Sequence, residues 1–321
     1  MGVLTTINRT NVDAWKDDIR RSVDFYNEWF LEFAPKTFRE EREKARCIVA
    51  DVLEQTDYCR DLNPAMLVVN PTVLPVLRQM TCPPLARDRL AGLAGVRSNL
   101  KCLENVDRPP QAVTHRLLGI SEHVLVVLRR MLDGGILTWL QTSGVVRQEQ
   151  VNRASLIVAD RVCGAAADPI IRNAQEKRQL DSIARWLSGK GYQKKQPASY
   201  QDLNPGEYAF HLNIKVGHSG TADERVNIPV DVAIQPFQAG KGKLPIILEA
   251  KSAGDFANVN KRRKEEAQKI SQLKATYGAD NVRFLLFLCG YFDSGYLGYE
   301  AAEGIDWIWE HRISDMEALG L

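Results

Sequence analysis

The 321-residue chain reads as an α/β protein in two parts, an all-helical domain over residues 1–165 and, over 166–321, a mixed β-sheet core flanked by helices. Three observations predict this. Residues 1–160 carry apolar side chains at helical spacing. Two strand-like runs, Val226 to Ile234 and Ile246 to Ser252, follow one another, and Val282 to Leu288 is apolar almost throughout. Helix-spaced segments bracket those runs at 169–189 and before Tyr277, the order expected of a sheet covered by helices.

In the first part, residues 12–33 and 37–56 have helical spacing, and Pro35 predicts a break between them. Asn63-Pro64 and Asn70-Pro71 signal turns or helix starts, and Cys82-Pro83-Pro84 stops one helix before Leu85–Leu103 forms the next. Pro109-Pro110 opens a helix that buries Val113, Leu117, Val124, Leu128, Met131 and Leu132 and ends at Gly134-Gly135. Trp15, Phe25, Tyr26, Trp29, Phe30 and Phe33 are expected in the core.

In the second part, a helix from Pro169 to Gly189 repeats Leu180, Ile183, Ala184 and Leu187 on one face, and Glu176 extends that stripe. Such a carboxylate either serves a site or sits where the helix dipole favours it. In the next run Val226, Ile228, Val230, Val232 and Ile234 make one stripe, with Asp231 opposite. Glu249 and Lys251 then share one strand face, while Leu248 and Ala250 take the other. If the runs pair as a hairpin, Asp231 meets Glu249 with Lys251 alongside. Two readings stay open: a surface hairpin with a cross-strand salt bridge, or a carboxylate pair that takes Mg²⁺ beside a lysine able to orient water and offset phosphate charge. The following helix turns Ala267, Ile270, Leu273 and Tyr277 inward, behind a basic, amide-rich front from Asn258 to Lys264.

Composition narrows the function classes. No run approaches the ~18–20 apolar residues of a membrane span, and Met1 to Thr6 has no signal-peptide core, so a cytoplasmic, non-membrane protein is expected. Six cysteines without CxxC or zinc spacing predict reduced, mostly buried thiols. P-loop and GxGxxG patterns are missing, and the five histidines form no triad, His211 and His218 reading as structural. The net charge of +2 hides an asymmetry: residues 172–276 hold 18 Lys and Arg against 11 Asp and Glu, and residues 284–321 hold one Arg against seven acids. Either a polyanionic duplex is drawn to the motif or the lysines form a solvated face. Arg78, Arg87, Arg89, Arg97 and Lys101 are candidate base readers, since arginine's fork matches guanine.

The pattern Asp231-x(17)-Glu249-x-Lys251 resembles the PD-(D/E)XK nuclease superfamily. With Glu249-Ala250-Lys251-Ser252-Ala253-Gly254-Asp255, the Asn258 to Lys264 run, Gly290 to Tyr296 and Glu303 to Trp307, the chain resembles the XamI-like type II restriction endonucleases, over most of residues 170–315. A departure is Pro229-Val230-Asp231 in place of a contiguous Pro-Asp; the proline is no ligand. The resemblance implies a restriction-endonuclease-like core in 166–321 and a helical domain for DNA recognition or dimerisation. It implies cleavage of both strands of duplex DNA at a short palindrome, leaving 5′-phosphates, by a homodimer whose genetic partner is a DNA methyltransferase. Asp231, Glu249, Lys251 and Glu176 would be catalytic, and Asp231, Glu249 and the Ala250 carbonyl would hold Mg²⁺, two ions per site at most, with Mn²⁺ a substitute. Arg172, Gln179, Ser252, Asn258, Asn260, Lys261, Arg262 and Arg263 would touch DNA. The alternatives are a nuclease of the same fold in DNA repair or RNA processing, and a DNA-binding protein that does not cut.

Overall fold

In the computed structural model the described residues are 6–96, 100–104, 115–142, 144–217, 225–240, 242–257 and 263–321. In chain order the helices are α1 (Trp15–Gln55), α2 (Pro64–Val69), α3 (Val73–Gln79), α4 (Arg87–Leu93), α5 (Leu100–Glu104), α6 (His115–Met131) and α7 (Gln148–Gly189), then, among the strands, α8 (Arg263–Tyr277) and α9 (Ser294–Ala302). The strands are β1 (Gln193–Lys194), β2 (Glu207–Gly217), β3 (Arg225–Gln235), β4 (Ile246–Ala253), β5 (Phe284–Gly290) and β6 (Asp306–Trp309).

The chain divides into one unit of residues 1–33 with 172–321 and another of residues 34–171. Residues 1–33, expected with the helical part, therefore cluster with the sheet. The reason is specific contact: Trp15 packs edge-on against Trp307 with ring centroids 5.5 Å apart. Asp306 accepts the backbone N–H groups of Asn8 at 2.9 Å and Arg9 at 3.0 Å, and Arg312 pairs with Asp18 at 2.6 Å. Pro35 and Pro169, expected to break and to open helices, lie inside α1 and α7. A proline deletes one ladder bond without ending a long helix whose other bonds persist. Each lies close to a boundary between the two units.

The helical unit is built on one apolar cluster from α1 to α7 that includes Leu53, Leu74, Leu77, Leu128 and Trp139. The helix expected over Leu85–Leu103 is two, α4 and α5, with α4 closing at Ala94 before Gly95 in the left-handed region, φ +67°. Of the predicted α6 stripe, Val124 and Leu128 are buried, Leu117 and Met131 pack partly, and Val113 lies outside the described residues. Cys47, Cys82 and Cys102 are exposed while Cys59, Cys163 and Cys289 are buried, and all six are free thiols.

The sheet runs in the order β1 to β6. β2, β3 and β4 form an antiparallel meander, and β4, β5 and β6 are parallel. Parallel neighbours need crossovers, which α8 and α9 provide. One sheet face, with Ile214, Ile247, Leu286, Leu288 and Trp307, packs with Ile270 and Leu273 of α8 and Leu297 of α9. The other, with Tyr208, Val232, Leu248, Phe287 and Ile308, packs with Leu180, Ile183 and Leu187 of α7.

The predicted single stripe on β3 is divided. Ile228 and Val230 belong to the first layer and Val232 to the second, while Val226 is 46% exposed. β2 switches likewise, with Tyr208 in one layer and Leu212 in the other. The pairing register holds across the switch, Phe210 facing Val232 and Leu212 facing Val230. Between these pairs lie His211, at φ +52° in the left-handed region, and Asp231. A non-glycine residue there reverses side-chain alternation at a local cost. Both strands thus change faces where the candidate carboxylate stands.

Candidate active site

β3 and β4 carry the predicted residues to one place. Their ladder ends at the pair Val232 with Leu248, so Asp231 and Glu249 follow directly beyond it, as the hairpin reading expects. Asp231 is half-buried, and its Oδ2 accepts the Ala250 N–H at 2.8 Å, spanning the point where the ladder stops. Burial raises its carboxyl pKa, the neighbouring Glu249 charge raises it further, and the Ala250 N–H, Lys251 and Lys269 offset part of this.

Glu249 is 3% exposed. Its Oε1 is shared by two ammonium groups, Lys269 Nζ at 2.5 Å and Lys251 Nζ at 3.4 Å. Its Oε2 is buried with no hydrogen-bond partner. Lys251 also lies 3.0 Å from Glu266 Oε1 on α8. Burial alone would depress the Lys251 pKa; Glu249 and Glu266 outweigh it, so the ammonium is held above its ordinary value. Lys251 therefore stands here as a proton donor and positive charge.

On the outer side of Asp231, Glu176 of α7 and His211 of β2 come close. One ligand atom from each of the three lies within 4.8 Å of the others. His211 Nδ1 and Glu176 Oε1 are 4.0 Å apart, both on exposed side chains. The acid that extends the α7 stripe thus does reach Asp231. Glu249 and Ala250, expected as its companions, are outside that group, because Glu249 is turned to the two lysines. Oxygen donors and one imidazole are compatible with a hard divalent cation, and the unpartnered Glu249 Oε2 offers a further oxygen.

The remaining predicted contacts separate. Gln179 is 1% exposed and its Nε2 donates to the carbonyls of Lys251 at 3.2 Å and Phe287 at 3.1 Å. It ties α7 to β4 and β5, so a phosphate contact is corrected to a structural one. Arg172 is exposed, whereas Ser252 is half-buried with its hydroxyl enclosed and without a partner. Asn258, Asn260, Lys261 and Arg262 lie outside the described residues, as does the side chain of Arg263, which opens α8. The aromatic group expected in the core is split: Tyr26 is buried, Phe25 is exposed, and Trp29 is half-buried beneath the Arg178 guanidinium at 4.4 Å.

Three residues of this neighbourhood were not singled out as site residues by the sequence. Glu266 shares the i, i+4, i+7 stripe of Ile270 and Leu273, the same signal that marks Glu176, and could have been found by it. Lys269 follows Glu266 by three residues, on a neighbouring helix position. His211 carries no such signal, since its place depends on a left-handed backbone within a strand.

Comparison with known proteins supplies the chemistry. A family model for the XamI restriction endonuclease matches residues 57–309. The chain is 46% identical over 318 residues to a type II restriction enzyme, SalI, of Streptomyces albus G, covering 98% of this chain and 99% of that enzyme. No solved structure matches. Among the described residues, no helix is long and apolar enough to cross a membrane.

Proposed function

The chain belongs to the XamI restriction endonuclease family and is a site-specific type II deoxyribonuclease, and on that premise we propose that Asp231, Glu249 and Lys251 form the centre that cuts both DNA strands at a short palindrome. The observation that carries this assignment is the half-open cluster itself: a buried Glu249 with one oxygen on two ammonium groups and the other without a partner, next to an Asp231 whose charge is disfavoured. Asp231, Glu249 and the Ala250 carbonyl would hold Mg²⁺, with Mn²⁺ a substitute and two ions at most, and Glu176 with His211 would border it. When bound there, Mg²⁺ supplies Lewis-acid polarisation of a phosphate oxygen and lowers the pKa of water.

The residues do the rest. The Lys251 ammonium donates a hydrogen bond that orients the attacking water and offsets charge growing on the phosphate. The water oxygen forms a bond to phosphorus in line with the bond to the 3′ oxygen, which breaks. The attacking water gives up a proton to solvent, the departing 3′ oxygen takes one up, and the phosphate stays on the 5′ end. Arg172, Ser252, Asn258, Asn260, Lys261, Arg262 and Arg263 are proposed phosphate contacts, which position a duplex without reading its sequence. Residues 34–171 are proposed to read bases or to dimerise, since a two-fold target calls for a two-fold protein. A methyltransferase protecting host DNA would accompany the enzyme, in the cytoplasm.

The test is incubation of the purified protein with unmethylated phage DNA, with Mg²⁺ or EDTA, beside Lys251→Ala and Asp231→Ala. Discrete fragments with 5′-phosphates, formed by wild type with Mg²⁺ alone, are expected. Fragments formed equally by either variant would overturn the site assignment, and cutting in EDTA would overturn the metal dependence.

A further inference from the structure

α8 brings two charges to the cluster from one side. Lys269 Nζ sits 2.5 Å from Glu249 Oε1 and 3.1 Å from the Pro229 carbonyl, so it reaches β4 and β3 together. Glu266, one turn earlier, is 1% exposed and meets Lys251 at 3.0 Å. We propose that Lys269 is an internal counter-cation of Glu249 that a divalent cation displaces, while Glu266 keeps Lys251 at the reacting centre. This rests on the reading of Asp231 and Glu249 as the cation-binding carboxylates.

Charge counting supports the exchange. Within the buried cluster, the half-exposed and water-screened Glu176 left aside, Asp231, Glu249 and Glu266 oppose Lys251 and Lys269, three negative groups against two positive, leaving −1 when all are ionised. A residual −1 is a poor match for a dication in a site of low dielectric. Removing Lys269 from the cluster leaves −2, which a dication neutralises. The two lysines are not equivalent in how they are held. Lys251 lies between two carboxylates, Glu249 and Glu266, whereas Lys269 has one carboxylate and one carbonyl. Lys269 is also the more exposed, at 23% against 16%, so its head has the shorter way to water. The geometry thus selects Lys269 as the group that leaves and Lys251 as the group that stays. Both are positioning roles: Lys269 orients Glu249 through Oε1, and Glu266 orients Lys251.

The test is calorimetric titration of Mg²⁺ into the full chain without DNA, for wild type, Lys269→Met, Glu266→Gln and Asp231→Asn, with the Mg²⁺-induced rise in melting temperature as a second readout. Lys269→Gln, which keeps a polar head, replaces Lys269→Met if the latter does not fold. The expected result is binding about tenfold tighter in the Lys269 variant, because a competing cation has been removed, with a larger Mg²⁺-induced melting shift. Glu266→Gln should bind several-fold more weakly, as Lys251 turns wholly to Glu249. Equal or weaker binding by the Lys269 variant, with binding lost in Asp231→Asn, overturns the counter-cation role and leaves the site reading standing. Binding by Asp231→Asn equal to wild type, or no binding by any protein, overturns the site reading and this inference with it.

Discussion

Two buried ion clusters, one in each unit, differ in how completely their polar atoms are used. In the helical unit Arg78 Nε donates to Glu104 at 2.7 Å and Nη1 to the Leu85 carbonyl at 2.7 Å, with the two side chains 13% and 10% exposed. In the sheet unit Lys251 and Lys269 crowd one oxygen of Glu249 while the other is buried and bare, and Glu266 meets Lys251 without a hydrogen bond of good geometry. A structural pair uses its donors and acceptors, because an orphaned buried atom costs about 1–3 kcal/mol. A cluster that leaves such atoms open beside converging carboxylates is a candidate for another purpose.

Glu249→Gln should separate the two clusters most strongly. Single-turnover cleavage should fall by about a thousandfold with DNA affinity retained; a loss under about tenfold would make Glu249 as structural as Glu104. Arg78→Ala should do the reverse. It strands Glu104, with Arg87 only 3.9 Å away as partial replacement, and should cost about 3 kcal/mol in urea unfolding. Its cleavage rate well below the melting temperature should stay within about twofold, since Arg78, a candidate base reader by sequence, spends its donors on Glu104 and the Leu85 carbonyl. Gln179→Leu tests the tie from α7 to β4 and β5. Two carbonyls lose their donor, so stability should fall by about 1–3 kcal/mol, whereas the affinity for non-cleaved DNA in Ca²⁺ should hold; a weaker affinity without destabilisation would restore the phosphate contact.

The smallest effect sharpens the contrast further. The folded-state pKa of Asp231 is raised, so its contribution to stability is present below the unfolded value of about 3.9 and is lost as pH rises through the folded value. Asp231→Asn keeps an acceptor for the Ala250 N–H and removes the buried charge. It should melt about 1–3 °C higher than wild type at neutral pH, with the difference fading as pH falls toward about 4, while cutting is abolished. A lower melting temperature at pH 7 would show that Asp231 serves the fold.

Much of the frame was legible in advance because it follows periodicity. The alternation in Ile246 to Ser252 placed Glu249 and Lys251 on one face, and the unbroken apolar run at 282–288 announced a buried central strand; burial on one or both faces imposes such patterns. Glu176 was legible as a polar residue on an apolar stripe. The same signal at Glu266 lies just beyond the basic front from Asn258 to Lys264, whose Lys and Arg dominate the segment. Pro35 signals a helix break and Pro169 a helix start, yet both lie within helices that long ladders sustain.

The sequence by itself determined the succession of β3, β4, α8 and β5 and the two faces of β4, because strand alternation and helical spacing are local rules. Only the tertiary structure decided the rest. The left-handed His211 and the face switch beside Asp231 depend on which layers the two strands must fill. The assignment of residues 1–33 to the sheet depends on contacts spanning nearly the whole chain, such as Asn8 with Asp306. The pairing of Lys269 with Glu249 depends on how α8 lies on the sheet. Long-range packing sets these placements, and no spacing along one segment encodes a distance to another.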